Sequence, residues 1–209
     1  MPTPDRILDG LEALTNEWRP IAAWWHAYFA AFAVACALGW RPRRRLAAAL
    51  LVPPLLSAGA LAWWAANPFT GVFLPTLGAA VVALAWRLPN RPVRTAPVVI
   101  LIPAFGLLVY AWVYPSFIVT PSIVTWLVAA PVGVIPCPTL AMGVAFALLL
   151  DGLDSRSLSV LLGIPALFYG LFGTLRLGVV LDWGLVTGAL LLLLIAALLA
   201  RRRAAARLT

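Results

Sequence analysis

The sequence predicts an all-α polytopic membrane protein, a bundle of about seven transmembrane helices with an N-terminal amphipathic helix. Hydrophobic residues make up 64% of the chain and charged residues 11%, whereas a soluble domain is about half apolar and a quarter charged. Apolar segments of about 20 residues recur along the chain, which is the length that a membrane helix needs. Short arginine runs separate them. The bilayer is therefore the expected solvent for most of the chain.

An amphipathic helix is predicted for residues 3–17, ahead of the first apolar segment. Thr3 suits the N-cap, Pro4 the first turn and Asp5 the positive helix start. Its apolar side chains recur at helical spacing, namely Ile7, Leu8, Leu11, Leu14 and Trp18. Such a helix covers the bundle either as plain packing or as a gate. We divide the chain into an extracytoplasmic amphipathic segment, 1–20, and a single transmembrane bundle domain, 21–209.

Seven apolar segments are long enough to be the predicted membrane spans. Their bounds are 21–40, 46–64, 72–88, 96–114, 125–150, 158–175 and 183–200. Pro53 and Pro54 predict a kink or break in the second span, because proline removes a helical hydrogen bond. No Asp, Glu, Lys or Arg lies near the middle of any predicted span, which disfavours an ion-driven carrier.

The uncharged stretch 116–150 contains four prolines and is the hardest to assign. They are Pro121, Pro131, Pro136 and Pro138. If it divided at the Pro-Cys-Pro, each half would be too short to cross. We therefore predict a single crossing over 125–150, with its regular helix starting near Pro138 and an outer loop or re-entrant stretch before it.

The arginine distribution predicts the orientation. An extracytoplasmic N-terminus places twelve arginines on the inner side, namely Arg41, Arg43, Arg44, Arg45, Arg87, Arg91, Arg94, Arg156, Arg201, Arg202, Arg203 and Arg207. It leaves three outside: Arg6, Arg19 and Arg176. Positive charge concentrates on the cytoplasmic side of membrane proteins. The sequence thus predicts a multi-pass protein of the bacterial cytoplasmic (inner) membrane with a cytoplasmic C-terminus.

Several function classes are excluded by what the chain lacks. It has no lysine, so no retinal Schiff base can form. Its two cysteines, Cys36 and Cys137, and its single histidine, His26, provide neither a disulfide framework nor paired haem ligands. No HExxH or GxSxG motif occurs. We expect no enzyme, no cofactor and no nucleic-acid partner, and the net charge of +8 reflects the topology.

Seven polar side chains are predicted to lie toward the outer side and to contact a ligand. They are Glu17, His26, Asn67, Cys137, Thr139, Arg176 and Asp182. His26 and Cys137 fall at a similar depth, about 8–10 Å below the outer face. One hypothesis is an outward-facing cavity in which both bind a soft metal ion, Cu(I) or Zn(II). The alternative makes Cys137 a small buried apolar residue and His26 an interfacial residue with one hydrogen bond.

Two further motifs suggest local roles. A buried helix start at Pro136-Cys137-Pro138-Thr139 offers backbone N–H groups to an anion or polar solute. Thr139 could instead support that helix start locally. Gly184 and Gly188 form a small-xxx-small pair, which is typical of a helix-packing face.

The chain resembles a family of small, uncharacterised bacterial multi-pass membrane proteins, a domain of unknown function. The resemblance rests on Asn16-Glu17 before the first span, the Asn67-Pro68 turn and the stretch GVIPCPT at 133–139. Gly163-Ile164-Pro165 is similar too, and the match runs over most of the chain. Similar proteins often have a second threonine after the PCPT motif, where this chain has Leu140. The resemblance implies the membrane class and supplies no activity.

Two functions remain as hypotheses. The first is a transporter-like or binding protein that takes a small solute or ion in an outward-facing cavity. The second is a non-catalytic subunit or assembly factor of a larger membrane complex, with Gly184 and Gly188 on the contact strip. The expected partners are the lipid bilayer and either further copies of the chain or a membrane complex.

Overall fold

The structure is a computed structural model that describes residues 3–120 and 122–205, with side chains described up to Arg201. Pro121, Arg207 and the side chains of Arg202 and Arg203 lie outside the described residues. All regular elements in the described ranges are helical, which confirms the predicted all-α helix bundle.

Ten helices form the fold in the described part of the chain. They are α1 (Pro4–Glu17), α2 (Arg19–Ala37), α3 (Arg44–Ala49), α4 (Val52–Trp64), α5 (Pro68–Arg87), α6 (Val98–Val113), α7 (Ile123–Ala129), α8 (Pro136–Leu149), α9 (Arg156–Leu171) and α10 (Trp183–Ala205). Three short turns accompany them: 3₁₀ turns at Asp151–Asp154 and Val180–Asp182 and a π turn at Phe172–Arg176. The Thr3 hydroxyl caps α1 by accepting from the Arg6 N–H at 3.5 Å, as its position predicts.

Five helical segments of the described chain are long and apolar enough to cross a membrane. They are Arg19–Ala37, Arg44–Trp64, Pro68–Arg87, Arg156–Arg176 and Val180–Arg201. The apolar helices α6 and α8 have 16 and 14 residues. Their lengths of about 24 and 21 Å fall short of a ~30 Å hydrocarbon core. The apolar helices are compatible with an integral membrane protein, and the number seven stays a prediction.

The predicted break in the second span is confirmed between α3 and α4, at Leu50 and Leu51. Pro54 has no N–H and cannot donate to the carbonyl of Leu50, four residues earlier. The Tyr28 hydroxyl of α2 donates to that carbonyl instead, at 2.7 Å. A side chain from a neighbouring helix thus satisfies the backbone group that the proline leaves free.

The predicted start of a regular helix near Pro138 is confirmed, and the single crossing over 125–150 stays a prediction. Helix α7 ends at Ala129 and α8 begins at Pro136, two residues before the expected start, with residues 130–135 outside any helix. Gly133 lies in this interruption at φ +73°, a conformation that favours glycine. A Cβ there would lie 2.1 Å from Cδ1 of Trp25. Backbone geometry and tertiary packing both require glycine at this point, so helix cannot continue through it.

Arginine side chains gather at one end of the bundle, which we call the arginine end. Arg45 Nε donates to the Leu88 carbonyl at 2.8 Å, and Arg44 forms an ion pair with Asp154 at 2.8 Å. Asp154 closes the left-handed turn Asp151–Asp154, through which the chain passes from α8 to α9. The opposite end carries α1 and α7, and we call it the α1 end.

Helix α8 is the centre of the bundle, with ten of its fourteen residues buried. It packs against α4, α6, α9 and α10. Phe146 of α8 stacks on Phe29 and Phe32 of α2, with ring centroids 5.3 and 4.6 Å apart. Pro138 and Thr139 in the first turn of α8 are also buried, so the beginning of this helix lies inside the protein, at the α1 end.

Gly59→Ala is expected to destabilise the bundle by about 1–3 kcal/mol. The added Cβ would lie 2.5 Å from Cδ of Pro75, in a rigid ring on the facing helix α5. Gly143→Ala is the matched control, because no atom lies within 4 Å of the corresponding Cβ position. Thermal unfolding in detergent should show a lower Tm for Gly59→Ala only. Equal Tm values for both variants would contradict the close α4–α5 packing.

Candidate functional site

Asp182 is the buried carboxylate at the α1 end, with 1% of its surface exposed. It ends the 3₁₀ turn that leads into α10. The preceding loop folds back because Gly178 adopts φ +72° and the Val179 N–H donates to the Gly173 carbonyl at 2.9 Å. Gly173 leaves room for the carboxylate, since a Cβ there would lie 1.8 Å from Asp182 Oδ2.

Three neutral groups surround this carboxylate. The Tyr114 hydroxyl donates to Asp182 Oδ1 at 2.7 Å, and the Tyr110 hydroxyl lies 3.3 Å from the same oxygen. The Cys137 thiol, at the start of α8, interacts with the carboxylate and lies 3.9 Å from the Tyr169 carbonyl oxygen. We call Tyr110, Tyr114, Cys137 and Asp182 the Asp182 cluster. It joins the ends of α6, α8 and α10.

The Asp182 cluster has no cationic partner within the residues that the structure describes. The ion pair in that part of the chain joins Arg44 and Asp154 at the arginine end. Arg176, nearest to Asp182 among the arginines in sequence, has an exposed side chain. A buried carboxylate without a counter-charge is costly, and inside membrane proteins such groups mark ion and proton sites.

His26 contacts backbone carbonyls and is not in the Asp182 cluster. Its Nδ1 lies 2.8 Å from the Ala22 carbonyl oxygen, and its Nε2 lies 2.9 Å from that of Trp112. A neutral imidazole has one N–H and donates to one of these two carbonyls, and the ring lies between α2 and the end of α6. The contacts give no support to a metal shared by His26 and Cys137. Among the residues that the structure describes, no group of three or more His, Cys, Asp or Glu side chains is placed to hold a metal ion.

Three other predicted residues lie at the surface. Glu17 is the exposed last residue of α1. Asn67 is exposed and caps α5, with its side-chain oxygen accepting from the Thr70 N–H at 3.1 Å. Arg176 is exposed in the π turn after α9. Of the seven candidates, the structure thus brings Cys137 and Asp182 together.

Thr139 supports the start of α8 locally. Its hydroxyl donates to the Ile135 carbonyl at 2.6 Å and accepts from the Gly133 N–H at 2.7 Å. Pro136 and Pro138 contribute no N–H, so this buried helix start has fewer free donors than an ordinary one. The Pro-Cys-Pro-Thr sequence therefore starts a buried helix with little unsatisfied backbone, which removes the basis for an anion site there.

Gly184 and Gly188 pack against α6 of the same chain. A Cβ at Gly188 would lie 2.3 Å from Cδ2 of Leu107, and one at Gly184 would lie 3.2 Å from the Tyr110 ring. The glycines form a helix-packing face within the bundle. These contacts within the chain account for both glycines, and their use as a contact strip for another protein stays a prediction.

Sequence reasoning missed Tyr110 and Tyr114 as members of the site. They are four residues apart and lie on one side of α6 and its C-cap. A buried tyrosine generally needs a hydrogen-bond partner. Two tyrosines at this spacing, near the end of an otherwise apolar span, were the available signal for a polar group facing them.

Helix α1 covers the Asp182 cluster through a second apolar layer. Leu14 of α1 packs there with Tyr114 and Ile135, and Cys137 lies against the same layer. Asn16 holds α1 to the loop after α6, since its amide donates to the Phe117 carbonyl at 2.8 Å and accepts from the Val119 N–H at 3.1 Å. We call α1 with these bonds the lid.

The underside of the lid contains polar atoms without partners. The hydroxyl of Thr15, a fully buried residue, and the indole nitrogens of Trp18 and Trp126 are buried without a hydrogen bond. Trp18 and Trp126 belong to the same layer as Leu14. Unsatisfied buried polar groups cost about 1–3 kcal/mol each. The lid is therefore less tightly held than the apolar centre around α8.

No protein-family model, curated protein or solved structure matches the chain.

Asn16→Ala is expected to speed labelling of Cys137 by a membrane-impermeant maleimide about tenfold, in a Cys36→Ser background. The variant removes the hydrogen bonds that hold the lid, each worth about 1 kcal/mol. Asn67→Ala is the matched control, because the Asn67 side chain caps α5 at the same end and bonds only the Thr70 N–H among the described contacts. Equal rates in both variants would show that α1 does not cover Cys137.

Proposed function

We propose that this chain is a transporter-like or solute-binding protein of the bacterial cytoplasmic membrane that takes a small cation at the Asp182 cluster. The N-terminus and the lid lie outside, and the C-terminus lies in the cytoplasm. Residues 21–209 form one membrane domain behind the N-terminal segment 1–20. The inside excess of arginine supports this orientation.

The observation that carries the proposal is a carboxylate with 1% exposure that only neutral donors contact. A bound cation supplies the positive charge that the described chain does not bring to Asp182. The rings of Tyr110 and Tyr114 stand 5.5 Å apart at 77° beside it, and aromatic faces attract cations. The same carboxylate repels anions, which argues for a cationic solute.

The lid provides the route to the outer solution. Phe117, whose carbonyl accepts from Asn16, stacks on Tyr114 with ring centroids 6.3 Å apart. Tyr114 in turn donates to Asp182. Movement of α1 away from the bundle therefore displaces Phe117 and, through it, Tyr114, which donates to the carboxylate. Lid opening and cation exchange are coupled in this way.

Asp182→Asn is the direct test, because it keeps the size of the side chain and removes its charge. Thermal unfolding of the detergent-solubilised protein is followed while sodium, potassium, ammonium or tetramethylammonium is added. At saturation at least one cation should raise the Tm of the wild type by about 5 °C or more. Asp182→Asn should lose this response and be the more stable protein without cation, since it buries no charge.

Glu17→Gln is the matched control, because it removes an exposed carboxylate at the same end. It should keep the wild-type cation response. The proposal fails if no cation distinguishes the wild type from Asp182→Asn. If no cation distinguishes the two proteins and Asp182→Asn is also less stable than the wild type, Asp182 acts as a structural hydrogen-bond acceptor.

A further inference from the structure

A groove of about 670 Å³ runs along the outside of the bundle between α5 and α9. Its walls are mainly apolar and include Phe73, Leu84 and Ile164. Small side chains such as Ala80 line the bottom of the groove and leave space there. Ile164 is 57% exposed, so this surface faces the lipid if the helices cross a membrane as proposed.

The groove is about as long as one leaflet is thick. Phe73 and Leu84 lie on the same helix, and the rise between them is about 16 Å. Half of a ~30 Å hydrocarbon core is nearly the same length. The groove begins at the arginine end, where α9 starts, and extends along α9 to Pro165 and along α5 to Phe73, five residues after the start of α5.

The mouth of the groove is basic. Arg156 and Ser157 line it at the first turn of α9, and both are exposed. Arg87 is the exposed last residue of α5 at the same end. An apolar partner helix lying in the groove would bury the Arg156 charge without a partner, which is costly. A lipid phosphate would pair with it.

We propose that the α5–α9 groove binds an anionic phospholipid of the leaflet at the arginine end. One acyl chain lies between Phe73 and Leu84, and the phosphate contacts Arg156 and Ser157. Basic residues next to a membrane attract anionic headgroups. This lipid site is separate from the Asp182 cluster, which lies at the α1 end.

The test is native mass spectrometry of the full chain, released from bilayers with equal amounts of phosphatidylglycerol and phosphatidylcholine of identical chains. The wild type should retain phosphatidylglycerol preferentially. Arg156→Gln should lower that preference about fivefold, which corresponds to the attraction of one arginine near the surface. Arg176→Gln, which removes an exposed arginine at the other end, should retain the wild-type preference.

Two groove-filling variants test the acyl-chain position. Ala80→Trp and, on the exposed side of α5, Thr76→Trp should both reduce retention of either lipid. Thr76→Trp serves as the readout if Ala80→Trp does not fold. Unchanged phosphatidylglycerol retention in Arg156→Gln and in the folded tryptophan variant would overturn the proposal. So would a lipid-free dimer that these variants convert to monomer, because a second copy would then occupy the groove.

Discussion

A buried carboxylate is the constraint that organises the α1 end of this protein. Asp182 is accommodated against a glycine, Gly173, in the π turn that ends α9. Tyr110 and Tyr114 donate to it from α6, and the start of α8 places Cys137 beside it. The ends of three helices therefore meet around one buried acidic side chain. In an apolar surrounding such an arrangement costs free energy, and it is retained where an ion or proton must bind.

Non-helical backbone near this site is tolerated because side chains form the hydrogen bonds that its N–H and carbonyl groups need. Residues 130–135 leave the helical pattern within the protein interior, where water is excluded. The Thr139 hydroxyl accepts from the Gly133 N–H. The Ser57 hydroxyl donates to the Gly133 carbonyl at 2.7 Å and accepts from the Trp25 indole at 3.0 Å. This agrees with the rule that non-helical backbone survives at membrane depth only when protein surrounds it.

Helix positions were largely predictable from sequence, because length and hydropathy are local properties that the bilayer imposes. The α3–α4 break was also predictable, because the effect of Pro53 and Pro54 on helical hydrogen bonds is local to the sequence. The non-helical path of residues 130–135 was not predictable, because it depends on Gly133 packing under Trp25, a contact between distant residues. Asp182 was expected among the polar residues toward the outer side, and its burial depends on Gly173, Tyr110 and Tyr114. His26 was expected to have one hydrogen bond or a metal, and its two carbonyl contacts depend on where α6 ends.

The central claim is that the Asp182 carboxylate binds a small cation. Infrared difference spectroscopy, recorded on the bilayer-reconstituted protein with and without the cation that raises its Tm, tests this most directly. The account predicts a shifted carboxylate band in the wild type that is missing from Asp182→Asn and present in Glu17→Gln. The same difference spectrum in wild type and Asp182→Asn would contradict the account, because the cation would then bind elsewhere.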